Sequence, residues 1–373
     1  MPEPAARPSR LSRSTRPTRP ARSGDPAPGA TPPWPARTAE PLPAFLDALA
    51  GLGPDRRARA IDPRPPPRHP LADVELVADG FALPESPVAL DDGSVLLVEI
   101  RRGTLDRVTP DGVVEVVCDC GGGPNGVALG PDGAAYVANN GRRHPRYEGG
   151  RIEAVDLTTG ERRVVADRGG DRPLCRPNDL VFDAVGGCWF TDFGGVAGWD
   201  GGPCEPGAIL HLAPGAGVAT RVLDGLHEPN GIGLSPDGGT LYWAETGTGR
   251  AYRRAVTGPG RVAHGRPNDP ATLLCGLPGL QLFDSLDVDA HGNVAIATLV
   301  SGRITVVAPD GSACVQMTLP DRFADGLVTN LCFAGDGTAY VTLGATGRLV
   351  RCRWPDTRAL LAGASAAVTA RPA

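Results

Sequence analysis

Between residues 74 and 354 the apolar positions fall into short runs separated by glycine-bearing turns, and the same composite unit recurs six times. The copies read ESPVALDDGSVLLVEI from Glu85, NGVALGPDGAAYVANN from Asn125, NDLVFDAVGGCWFTDF from Asn178, NGIGLSPDGGTLYWAE from Asn230, DSLDVDAHGNVAIATL from Asp284 and NLCFAGDGTAYVTLG from Asn330. Short apolar runs on either side of an Asp- or Gly-bearing turn predict two strands joined as a hairpin. A third run follows each hairpin after a loop: GTLDRV, GRIEAV, GAILHL, GRAYRR, GRITVV and GRLVRC. Fourth runs stand at 113–118, 162–167, 220–225, 272–277 and 314–319, but none follows GRLVRCRW in the last copy. The unassigned VELVAD at 74–79 supplies it from the other end of the chain and leaves no strand unpaired. Units of about 47 residues that each make one four-stranded antiparallel sheet signal a radial array. The expected fold class is all-β, a six-bladed β-propeller over residues 71–356.

Each copy opens with an oxygen-bearing side chain: Glu85, Asn125, Asn178, Asn230, Asp284 or Asn330. In a propeller the first strand of each blade lines the central channel, so these residues are expected to converge on one mouth. Loops 139–149 and 193–206, between second and third strands, emerge on that same face and are long enough to overhang it. A lone Asn in such a place is ordinarily a turn residue, because Asn tolerates left-handed backbone and bonds its own main chain. Six in register, two of them carboxylates, form instead an all-oxygen ring that suits a hard cation. The six histidines (69, 144, 211, 227, 264, 291) show no HxxxH pair and give no support to a His-built site. His291 reads as a turn residue, while His227 and Trp199 are candidates for the wall of the mouth. Trp189 and Trp243, in second strands, read as core.

Composition narrows the picture further. Glycine (51) and proline (39) are abundant and aromatic residues make up only 5%, as expected of a turn-rich β protein. A net charge of -5 gives no electrostatic case for nucleic acid. No apolar run approaches the length of a membrane span. The nine cysteines are odd in number and form no CxxC pair, so they suggest reduced thiols and a cytoplasmic setting rather than a disulfide framework. Cys118 and Cys120 read as packing. There is no GxSxG elbow, and without lysine no phosphate-binding GxxxxGK[ST] loop exists. Residues 1–70 differ in kind: Arg recurs every third position from Arg7 to Arg22 among Pro, Ser and Thr. This arm is expected to be disordered, with a short helix at 41–52 and an extended linker before the first strand. Residues 357–373 are expected to be a tail.

LPESPVAL, RPNDLVFD, WFTDFG, EPNGIGLSPDG and FDSLDVDAHG resemble, in this order, the landmarks of the regucalcin/gluconolactonase family of six-bladed propellers. PNG or SPDG alone is a common turn; the ordered set over 74–354 is the specific signal. The resemblance implies one divalent ion at the channel mouth, held by Glu85, Asn178, Asn230 and Asp284, with Ca²⁺ first and Zn²⁺, Mg²⁺ or Mn²⁺ as alternatives. It also implies that Arg176 reaches the substrate. Calcium-dependent organophosphate-hydrolysing propellers share this ring, and strictosidine synthase is a more distant relative in fold. Two departures stand out: Ser86 and Ser285 occupy places that are usually glycine in the family. A serine there narrows the mouth or adds a hydrogen bond, and bears on the substrate rather than on the ligand set.

The expected function is metal-dependent hydrolysis of a lactone derived from a sugar or a related polyol acid. Asp284 is the candidate general base, with Arg176 and Asn125 as substrate-binding residues. The expected partner is a small molecule bound by a monomer, with neither nucleic acid nor membrane. The alternatives are phosphotriesterase-like or other ester hydrolysis on the same ring, and ligand binding without catalysis, since fold alone does not fix function.

Overall fold

The computed structural model describes residues 65–369 apart from 144, 145, 148, 196–204, 266–268, 270 and 271. The expected helix at 41–52 and Trp199 lie outside the described residues, as does most of loop 193–206. Among the described residues, glycine-punctuated apolar runs give six blade sheets, antiparallel apart from one edge strand, and two short two-stranded ribbons. In the first, Pro84–Ala89, Val95–Glu99, Thr104–Val108 and Val114–Asp119 are neighbours in that order. The second holds Pro124–Leu129, Ala135–Asn139, Arg151–Val155 and Arg162–Ala166, and the third Pro177–Phe182, Cys188–Asp192, Gly207–Leu212 and Thr220–Leu226. Pro229–Leu234, Thr240–Glu245, Arg250–Gly258 and Leu273–Gly276 make the fourth. Leu282–Val288, Val294–Leu299, Arg303–Val307 and Cys314–Thr318 make the fifth. The first strands pack on one another in sequence, and that of the sixth blade, Val328–Phe333, packs back on Pro84–Ala89. The ring is a six-bladed β-propeller.

Closure follows the strand count. Thr338–Leu343 and Arg348–Arg353 complete the sixth hairpin, and Glu75–Asp79 pairs antiparallel with Arg348–Arg353 as the fourth strand. Two side-chain bonds join the same blades near the axis. Thr329 Oγ1 donates to the Pro84 carbonyl at 2.9 Å, and Asn330 Nδ2 donates to Glu85 at 3.0 Å.

Two features were not read from the sequence. Arg68–Pro70, assigned there to the arm, pairs in parallel with Cys314–Thr318 and makes the fifth blade five-stranded. Helix Thr357–Thr369 takes up residues expected to be tail. Leu361 and Ala364 pack into the same cluster as Ala308, Val315 and Met317 of the fifth blade. At its start the buried Thr357 donates to Asp289 and accepts from Asn293, both in a turn between first and second strands. That turn lies on the face away from the channel mouth. Trp189 and Trp243 are fully buried, as the sequence predicts, and among the described residues no helix is long and apolar enough to cross a membrane.

Candidate metal and substrate site at the channel mouth

Equivalent turns fix which residues share a level. Each first strand closes its hairpin with the same backbone bond: Leu90 N to Ser94 O, Gly130 N to Ala134 O, Asp183 N to Gly187 O, Ser235 N to Thr240 O, Asp289 N to Asn293 O and Ala334 N to Thr338 O. Counting back from these turns places Glu85, Asn125, Asn178, Asn230 and Asp284 at one level. The sixth member is Thr329 rather than Asn330, because the last hairpin is shorter on its first strand. Ladder register agrees, since Val328 pairs with Leu343 as Pro124 pairs with Asn139. Asn330 stands one place further on, yet reaches the ring through its bond to Glu85.

The ring is buried and polar. Glu85, Asn178, Asn230 and Asp284 are all buried, whereas Asn125 is half-buried and stands closer to solvent. Asn230 Nδ2 donates to Asp284 at 2.5 Å and to Thr246 at 3.1 Å, while its Oδ1 accepts from the Ser285 hydroxyl at 3.3 Å. Among the described residues, Asn178 Oδ1 is buried without a hydrogen-bond partner. A buried amide oxygen left unpaired costs about 1–3 kcal/mol, so this atom, at one level with Glu85 and Asp284, is free to take up a ligand. Burial pushes the Asp284 carboxyl up to about 7. It raises Glu85 well above the carboxylate range, with the Asp284 charge adding to the effect. An excess of acid in a low-dielectric mouth is the electrostatic complement of a cation.

These four residues fit a divalent ion. Their donors are two carboxylates and two amides, all oxygen and all at the starts of first strands, in blades one, three, four and five. Among the described residues no group of three or more His, Cys, Asp or Glu converges, so such a site depends on its amides as much as on its acids.

Arg176 is set by the strand behind it. Asp192, at the end of the second strand of the third blade, accepts from the backbone N–H groups of Cys175 at 2.8 Å, Arg176 at 2.6 Å and Gly194 at 3.4 Å. The Arg176 guanidinium in turn donates to the Gly194 carbonyl at 2.8 Å. One carboxylate therefore fixes both the backbone of Arg176 and the loop that holds its head group. Nothing in the local sequence marks Asp192 for this task, since the signal is its place at a strand end opposite Arg176.

The two serines differ in what they do. Ser86 holds φ at 50°, a conformation in which glycine is at ease, and its hydroxyl accepts from Val127 N–H at 2.8 Å while facing the Val127 carbonyl at 3.2 Å. It joins the first blade to the second. Ser285 instead meets the Asn230 amide and Asp179. Asp179, overlooked in the sequence, is a buried acid one residue past Asn178, and burial pushes it up to about 7. His227 is exposed beside half-buried Glu228 on the mouth face, and His291 sits in its turn with its N–H on Asp289.

Residues 83–345 match the family model of the SMP-30/gluconolactonase/LRE-like region. The chain belongs to that family. A gluconolactonase of Zymomonas mobilis is 28% identical over 310 residues, covering 75% of this chain and 81% of its own length. The lactonase drp35 of Staphylococcus saprophyticus is 28% identical over 233 residues, 62% of this chain and 68% of its own. Among solved structures, a gluconolactonase of Xanthomonas campestris superposes with a TM-score of 0.64 at 23% identity, over 80% of this chain and 96% of that one. A calcium-binding regucalcin of Agrobacterium tumefaciens does so with a TM-score of 0.58 at 20% identity, over 78% and 97%. At these identities the two structures bear on the fold alone. Family membership accords with the order of landmarks along the six blades.

Proposed function

We propose that the chain is a divalent-metal-dependent lactone hydrolase, acting on a sugar-derived or related lactone with Ca²⁺ as the preferred ion. The observation that carries this reading is the unpartnered, buried Asn178 Oδ1 at one level with Glu85, Asn230 and Asp284. The names of the gluconolactonase and lactonase relatives support the reaction class, and the calcium-binding regucalcin supports the ion.

When bound, the ion would polarise the lactone carbonyl and stabilise the charge that develops on its oxygen. Asp284 takes the proton of the attacking water. Burial raises its carboxyl when no ion is present, and a bound cation opposes that shift and keeps Asp284 ionised, able to accept the proton. Arg176 offers a planar fork of donors to the hydroxyl or carboxylate groups of the substrate. Asn125, half-buried at the same level, orients the part of the substrate nearest solvent.

The test is proton release from aldonolactones and simple γ- and δ-lactones, first with EDTA and then with Ca²⁺, Mg²⁺, Mn²⁺ or Zn²⁺ restored. The expected result is turnover abolished by EDTA and restored by Ca²⁺. Asn178→Ala is expected to weaken Ca²⁺ binding at least tenfold by calorimetry. Ca²⁺ bound at full affinity by Asn178→Ala, or turnover unaffected by EDTA, overturns the reading.

A further inference from the structure

Two residues before each member of the ring lies a second level, one step nearer solvent: Leu83, Gly123, Arg176, Glu228, Leu282 and Leu327. Their common height is fixed by a repeated backbone bond. The carbonyls of Leu83, Gly123, Arg176, Glu228 and Leu327 accept from Ile100, Asn140, Phe193, Thr246 and Gly344 of the loop above the same blade, at 2.7–3.1 Å. Leu282 is held by its ladder partner Leu299.

Around the axis this level is divided. Blades three and four present Arg176 and Glu228. Blades five, six and one, which are contiguous, present Leu282, Leu327 and Leu83. Blade two carries only Gly123. The leucines are not turned into the core, for Leu327 is 38% exposed and the other two are half-buried. A Cβ built on Gly344 would meet Leu83 Cδ1, Thr329 Cγ2 and the Leu327 carbonyl, so blades one and six form one surface there.

Further apolar groups extend that side. Val300, in the loop after the second strand of blade five, is 55% exposed, and Leu280, before its first strand, is 71% exposed. The loops bearing Val300 and Gly326 also border a groove of about 360 Å³ between these blades, whose lining mixes Leu319 and Ala324 with Arg303 and Asp325.

Backbone strain points to the same place. Five non-glycine residues among those described have positive φ, and four of them (Leu83, Ser86, Glu228 and Val300) lie at the mouth. For a bulky or β-branched side chain this conformation is costly and persists where the surroundings impose it, most often at functional sites. Leu83 and Val300 are held strained while exposing apolar surface to solvent. Neither choice aids folding, and both are accounted for by a ligand that covers them.

We propose that the substrate is amphipathic: a lactone whose polar ring lies toward Arg176 and Glu228 and whose apolar substituent lies on the Leu83–Leu282–Leu327 wall, reaching Val300. This rests on the lactone reading for the reacting group, but the division of the wall concerns binding and is tested without turnover. A polyhydroxylated substituent on that wall would strand its hydroxyls against leucine, whereas an alkyl or aryl one removes apolar surface from water. Each methylene fully buried is worth about fourfold in affinity, less when partly covered.

The experiment is calorimetric titration of the Ca²⁺-loaded protein with inert δ-lactams, cyclic amides that mimic the ring without being hydrolysed. One bears a butyl substituent and the other is polyhydroxylated. The expected result is tighter binding of the butyl lactam by at least tenfold. That gap should narrow severalfold in Leu327→Asn and again in Val300→Gly, which removes the side chain while relieving its backbone. Equal or tighter binding of the polyhydroxylated lactam, binding of neither, or a gap that survives both substitutions overturns the proposal. Turnover of the matching lactones, measured alongside, tests the hydrolase reading separately: a butyl lactam bound tightly by a protein that opens no lactone would refute hydrolysis and leave the amphipathic site standing.

Discussion

Ser86 shows how a single residue departs from its expected type and what it gains. With φ at 50° the position favours glycine, yet the serine hydroxyl satisfies the buried Val127 N–H across a blade boundary. Two opposing effects meet here, and substitution separates them. Ser86→Ala keeps the strain and strands the N–H, so it is expected to lower stability by about 1–3 kcal/mol. Ser86→Gly strands the same N–H but relieves the backbone, and is expected to lose roughly 1 kcal/mol less. Urea unfolding decides: alanine equal to or better than glycine would mean that the strain is not real. The sequence alone allowed either a narrowed mouth or an added bond at this place. It could not choose, because the partner lies 41 residues away on another blade.

Single elements were legible where their signal is local and obscure where it is tertiary. All four strands of the first blade begin and end within a residue or two of the expected runs, because alternation and glycine turns are properties of the run itself. The sixth ring position was misread because Asn330 is the conspicuous side chain and Thr329 is not; only the turn at Ala334 gives the register. Strand Arg68–Pro70 and helix Thr357–Thr369 owe their form to the fifth blade, on which each docks, so neither announces itself. The tether between Asp192 and Arg176 belongs to this class too. It joins the end of one strand to the start of its neighbour, and its effect should be read on substrate binding rather than on chemistry. Asp192→Ala is expected to raise KM roughly tenfold or more with a smaller loss of kcat, since a misplaced positioning group costs alignment. Asp192→Asn keeps one acceptor and should recover most of that loss. A pure kcat effect, or no rescue by asparagine, would separate Asp192 from Arg176.

At the scale of the whole molecule, the central channel concentrates acid where water is excluded. Burial pushes Asp179, Asp284 and Asp287 up to about 7, and Glu85 rises by the same cause and by its proximity to Asp284. In the unfolded chain such groups titrate near 4. Between about pH 4 and 7 the folded chain therefore holds protons that the unfolded chain has shed, and without an ion its stability must fall as pH rises through that window. A divalent cation needs its carboxylates ionised, so its affinity rises over the same window as protons are released. Thermal unfolding measured every half unit from pH 5 to 8, in EDTA and in saturating Ca²⁺, joins the two arguments. In EDTA the melting temperature is expected to decline toward pH 8; in Ca²⁺ the decline is expected to become shallower as the Glu85 and Asp284 part of it is lost, so that the gap between the curves widens with pH. Each proton displaced contributes up to about 1.4 kcal/mol per pH unit. Parallel curves would show that the ion sits away from these acids, whereas a gap confined to the acid side of the window would reverse the sign of the linkage and rule out a carboxylate-held ion at the mouth.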